Sequence, residues 1–88
     1  MEKKCTYRLV CVQNGQYGFV RKNNERMVLD HPFKTFEEAF RAAERRYLML
    51  QHCPGDNDEL VGTPEDFTIT VKNTDMADFS DHYFIEEG

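Results

Sequence analysis

Phe36-Glu37-Glu38-Ala39-Phe40-Arg41-Ala42-Ala43-Glu44-Arg45-Arg46-Tyr47-Leu48-Met49-Leu50-Gln51 is the stretch on which the fold turns. At 3.6 residues per turn, Phe36, Ala39, Phe40, Ala43, Tyr47 and Leu50 fall on one stripe, with Glu37, Glu38, Arg41 and Arg45 on the opposite face. Thr35 is a good N-cap, and Glu38 completes a Thr-x-x-Glu capping box for the first turn's free donors. Pro54-Gly55 marks the stop. An amphipathic helix of this kind must bury its stripe against something, and the flanking sequence supplies strands.

Upstream, Cys5 to Gln13 is rich in β-branched and aromatic residues and reads as a strand. Asn14-Gly15 is a strong hairpin signal and predicts a type I′ turn, with Gln16 to Lys22 returning. Asn23-Asn24 predicts a second tight turn and Arg26 to Leu29 a third strand, ended by Asp30-His31-Pro32. In that register Cys5, Tyr7, Leu9, Cys11, Gly18, Val20, Met27 and Leu29 face the helix. Arg8, Val10, Val12, Tyr17, Phe19, Arg21, Arg26 and Val28 face away, with the arginines side by side. Downstream, residues 54–66 read as a long acidic loop, and Phe67 to Lys72 alternates cleanly with Phe67, Ile69 and Val71 inward. Asn73 to Ser80 reads as a turn or short helix, and His82 to Glu86 as a last strand within an acidic C-terminal segment, 74–88. The expectation is one α+β domain over 1–88, an antiparallel sheet of 4–5 strands in the order βββαβ(β) with one helix on one face.

Composition narrows the function classes. The 88 residues include seven Phe and four Tyr, too aromatic for a disordered chain. No apolar run reaches membrane-spanning length, and the N-terminus lacks the apolar core of a signal peptide. Three cysteines, with Cys5 and Cys11 in one strand, fit free thiols and a cytoplasmic setting. The net charge of −5 hides a split: residues 1–53 carry ten Lys and Arg against six Asp and Glu, whereas 54–88 carry only Lys72 against ten acids.

Residues 5–51 resemble the small three-strands-plus-helix unit of AP2-type and integrase arm-binding domains, through the junction Phe33-Lys34-Thr35-Phe36-Glu37-Glu38-Ala39. That resemblance implies nucleic-acid contact through the exposed sheet face, which maps onto Arg8, Tyr17, Phe19, Arg21 and Arg26. Arginines interleaved with aromatics also have the chemistry for stacking bases and holding phosphates. The competing reading covers that face with the chain's own C-terminal segment, Asp75, Asp78 and Asp81 neutralising the arginines. In size and charge the chain is similar to small acidic phage proteins that block nucleases by imitating DNA, among them anti-CRISPR proteins. The acids that would face a basic, nucleic-acid-handling protein partner are Asp56, Asp58, Glu59, Glu65, Asp66, Asp75, Asp78, Asp81, Glu86 and Glu87.

Leu48 and Met49 lie off the helix stripe, either beneath the 54–66 loop or in a partner or homodimer contact. The Asp56-Asn57-Asp58-Glu59 cluster lacks EF-hand spacing, and no Cys-x-x-Cys or helical ligand pair marks a metal site. No nucleophile elbow or Gly-rich loop marks a catalytic centre. The expected function is therefore non-catalytic and cofactor-free: an acidic inhibitor acting by protein–protein interaction and DNA mimicry, with nucleic-acid binding as the alternative.

Overall fold

The computed structural model describes residues 6–52, 58–74 and 77–88. The elements run β1 (Tyr7–Tyr17), β2 (Val20–Phe33), α1 (Phe36–His52), β3 (Asp58–Thr63), β4 (Asp66–Thr74) and β5 (Ala77–Glu87). The strands form one antiparallel sheet in the order β2-β1-β5-β4-β3. This is an α+β fold with one helix on one face, as the helix stripe requires, but the strands are arranged ββαβββ among the described residues rather than βββαβ(β).

The first difference lies in the N-terminal hairpin. Tyr17 pairs with Val20, so the turn is Gly18-Phe19 and not Asn14-Gly15. Gly18 has φ +65 and Phe19 a negative φ, the pattern of a type II′ turn with glycine first. Asn14 and Gly15 lie inside β1, where a Cβ on Gly15 would collide with the Asp78 carbonyl oxygen and Phe79 Cα of β5. The glycine serves close strand approach instead of a turn. Asn24 does take a positive φ, 54°, but within a bulge between Gln13↔Glu25 and Gly15↔Lys22. Asp30 at φ 58° marks a second irregularity between Leu9↔Leu29 and Tyr7↔Phe33, and the strand continues past Pro32 because β2 is an edge strand, where proline is tolerated.

The second difference is β5. The C-terminal segment does not fold over the sheet; it enters it. β5 pairs with β1 from Tyr7↔Glu87 to Tyr17↔Ala77 without a register shift, and with β4 on its other side. α1 carries the chain from one edge, β2, to the other, β3, which leaves the centre open for the last strand. Half of the expected 54–66 loop is β3, joined to β4 through a Pro64-Glu65 turn. Within the expected 73–80 turn, Thr74 ends β4 and Ala77 begins β5.

The helix-facing side follows the sequence pattern at its centre but not at the hairpin end, where Gly18 is a turn residue and Val20, next to that turn, is 54% exposed. Thr35 Oγ1 accepts from the Glu38 amide at 3.2 Å, capping α1. Ala39 and Ala43 are buried, and their small side chains let the helix approach the sheet. Beneath it Cys11, Tyr83 and Phe67 are cross-strand neighbours, joined by Leu9 and Ile69 in the core. The Phe67 and Tyr83 rings stack at 4.8 Å, and Tyr47 of α1 meets Phe67 edge-on at 5.3 Å. Tyr7, Leu9, Cys11, Met27 and Leu29 share this face, as the alternation predicts. On the other face, over which no described element lies, Val10 is nevertheless fully buried between Val28 and Phe84.

Candidate interaction surfaces

The expected arginine–aromatic face is dispersed by the true register. Tyr17 lies on the helix side, stacked on Phe79 at 4.1 Å and donating its hydroxyl to Asp81. Phe19 is at the hairpin tip, 96% exposed. Arg8 and Arg26 converge on one carboxylate oxygen, Glu86 Oε1, at 3.0 Å for Arg8. These contacts, led by the Arg26 hydrogen bond, hold the Glu86 carboxyl below its usual range. Arg21 stands apart, paired in the ladder with Gln16. The three arginines are therefore not side by side, and two of them are neutralised by a residue from β5. That residue is Glu86, not Asp78 or Asp81.

The acids separate into groups. Asp56 and Asp75 lie outside the described residues. Asp81 is buried at 8% exposure on the helix side, so it is not available to a partner. Burial raises its carboxyl pKa, against the Tyr17 hydrogen bond and nearby Lys22, which lower it. Asp58 is half-buried opposite Val71, on that same side. Glu86 is taken by the arginines, and Asp66 pairs with His82 Nε2 at 2.7 Å.

The remaining acids, Glu59, Glu65, Asp78 and Glu87, are exposed and make no hydrogen bond or ion pair among the described residues. Glu59, Asp66 and Asp78 share the uncovered face of β3, β4 and β5 with Thr63, Thr68, Thr70 and Ser80. The chemistry of that surface is carboxylates and hydroxyls around an exposed Val61, with Lys72 and His82 as its basic side chains.

The helix side holds a polar group that the sequence pattern did not reveal. Asp81 is flanked by Tyr17, by Gln13 as its ladder partner, and by Cys11 and Tyr83 one row away. Lys22 donates to Gln13 Oε1 at 2.6 Å and lies 5.6 Å from the Tyr17 ring centroid. Burial pushes the Cys11 thiol up to about 11 and raises both tyrosines. The Cys11 thiol is thus neutral at pH 7, whereas the nucleophilic form is the thiolate. The only advance signal was the odd carboxylate in an otherwise apolar alternation through Phe79, Asp81, Tyr83 and Ile85. Cys5 and Cys53 lie outside the described residues. Among the described residues no three His, Cys, Asp or Glu come together as a metal site, and no helix is long and apolar enough to cross a membrane.

Leu48 and Met49 are exposed on α1, at 42% and 54%. Met49 lines an open groove with Ala42, Arg45 and Arg46 of α1 and Asp30 and Phe33 of β2. The residues that could lie over Leu48, 53–57, are outside the described set. Comparison with protein-family models, curated proteins and solved structures finds no match.

Proposed function

We propose that the chain is a non-catalytic interaction protein whose acid-rich β3–β5 half binds a basic, nucleic-acid-handling protein, in the manner of a DNA-mimicking, phage-type inhibitor such as an anti-CRISPR protein. The observation that supports this is the open face of β3–β5, where Glu59, Asp66 and Asp78 lie among threonine and serine hydroxyls, with Glu65, which has no ion pair among the described residues, at the adjoining turn. Carboxylates held on neighbouring strands present fixed negative charge without the entropy cost of ordering a flexible tail. Such a surface steers a basic groove toward it and speeds association at low salt. The buried Asp81 and the arginine-bound Glu86 belong to the fold, which reduces the contact set to Glu59, Glu65, Asp66, Asp78 and Glu87.

The test is affinity capture of partners at low salt with the wild-type chain and with a Glu59→Gln, Glu65→Gln, Asp78→Asn variant. A basic protein retained by the wild type, displaced by excess duplex DNA and lost by the variant supports the reading. A partner held equally by both chains and indifferent to DNA refutes it.

A further inference from the structure

We propose that the open edge of β2, with the groove between β2 and α1, accepts an extended segment of a protein partner as an added strand, and that this segment carries an acidic side chain two residues from an apolar one. This site is on the edge of the sheet opposite β3 and does not depend on the acidic-face reading.

The topology makes the first part of the argument. Among the described residues β2 pairs only with β1, so its other side presents backbone groups without a ladder partner there. Native edge strands are commonly blunted by bulges, and β2 has irregularities at Asn24 and Asp30, both with positive φ. They do not close the edge; they frame it. Between them, Glu25 to Leu29 pairs one for one with Gln13 to Leu9 and forms a regular five-residue template. In such a strand alternate residues direct both N–H and C=O outward, where an incoming strand can meet them. The template is charged at Glu25 and Arg26, which are engaged by Lys22 and Glu86, and apolar beyond them, with Met27 40% and Val28 44% exposed on opposite faces.

The groove supplies the second part. Its β2 wall is Phe33 with Asp30, and its α1 wall is Ala42, Arg45, Arg46 and Met49. An added strand points every second side chain to the helix side, toward this groove. Phe33, Ala42 and Met49 offer an apolar slot there. Arg45 is exposed and forms no ion pair among the described residues, while Arg46 lies 5.7 Å from the Tyr83 ring centroid and likewise has no carboxylate partner. Two guanidinium groups against the one carboxylate of Asp30 leave the groove with a positive balance. That selects a segment bearing Asp or Glu beside its apolar residue over a basic one. Backbone pairing to Glu25–Leu29 fixes the register, and the groove reads the side chains.

The experiment is selection of a phage-displayed random octapeptide library on the full chain, followed by titration with the synthetic consensus peptide and amide hydrogen exchange. The expected result is a consensus with Asp or Glu two residues from Leu, Ile, Val, Met or Phe. Its binding falls about tenfold or more in Arg45→Glu and in Met49→Asp, and amide exchange slows within Glu25–Leu29. Both substituted positions are exposed, and thermal melts check that the variants fold. Failure to enrich a consensus, or a consensus peptide indifferent to both substitutions, overturns the proposal. A wild-type dimer in sedimentation with the same amides protected assigns the edge to a second copy and equally overturns it.

Discussion

Replacing Phe67 with alanine tests whether α1 lies on the β1–β5–β4 centre of the sheet. Phe67 is 1% exposed, stacked on Tyr83 at 4.8 Å and met edge-on by Tyr47 at 5.3 Å. A buried Phe→Ala change costs about 3–5 kcal/mol through lost transfer energy and the cavity left behind. The two ring contacts, about 0.5–1.5 kcal/mol each, put this site toward the upper end. At about 0.05–0.15 kcal/mol per residue, a domain of 88 residues has about 4–13 kcal/mol in total. The variant therefore loses a large part of its stability and can unfold at 37 °C. With a urea slope of about 1–3 kcal/mol per molar, the midpoint falls by about 2 M. Phe19→Ala is the matched control: the same chemical change at a 96% exposed turn position shifts stability by no more than about 0.5 kcal/mol. Urea melts followed by far-UV circular dichroism report both. A midpoint loss for Phe67→Ala no larger than that for Phe19→Ala would refute the packing described.

Two further outcomes follow from the register. Asp81→Asn isolates the buried carboxylate: because burial raises its folded-state pKa above 3.8, its favourable contribution is present below that value and is lost as pH rises through the folded pKa. The stability of the Asn variant relative to wild type should therefore increase across that window and stay level above it; a pH-independent difference in denaturant melts contradicts the burial of Asp81. Gly15→Ala places a Cβ against Asp78 and Phe79 at φ +122 and should destabilise by more than about 1 kcal/mol, whereas a turn glycine would tolerate alanine better; a thermal melt within a degree of wild type would return Asn14-Gly15 to a loop.

The candidate surfaces were legible in the sequence as composition and illegible as geometry. The excess of acid after residue 54 was plain, but which carboxylates reach solvent was not, because exposure depends on strand neighbours. Glu86 is occupied by Arg8 and Arg26, and Asp81 by Tyr17; these three contacts span 78, 60 and 64 residues of chain. The groove between β2 and α1 joins Asp30 and Phe33 to Arg45 and Met49 only once the helix has been laid across the sheet.

What the sequence determined by itself was the local part. The Thr35 cap, the stripe of α1 and the alternation of Phe67, Ile69 and Val71 are set by contacts within a few residues, so periodicity and capping chemistry suffice to read them. The same holds for Tyr7, Leu9 and Cys11 facing one way, since a strand's side chains alternate whatever their partner. Tertiary structure decided the rest. A glycine or asparagine with positive φ suits a turn or a place inside a strand equally, and only pairing with β5 and β1 made Gly15 a close-approach residue, Asn24 a bulge residue and Gly18 the turn. Nor does any local preference place the last strand in the middle of the sheet. β5 goes there because α1 crosses from β2 to β3, leaving an open edge on each hairpin, and a strand carrying Tyr83 and Ile85 on its helix side pairs with both edges and completes the core beneath the helix.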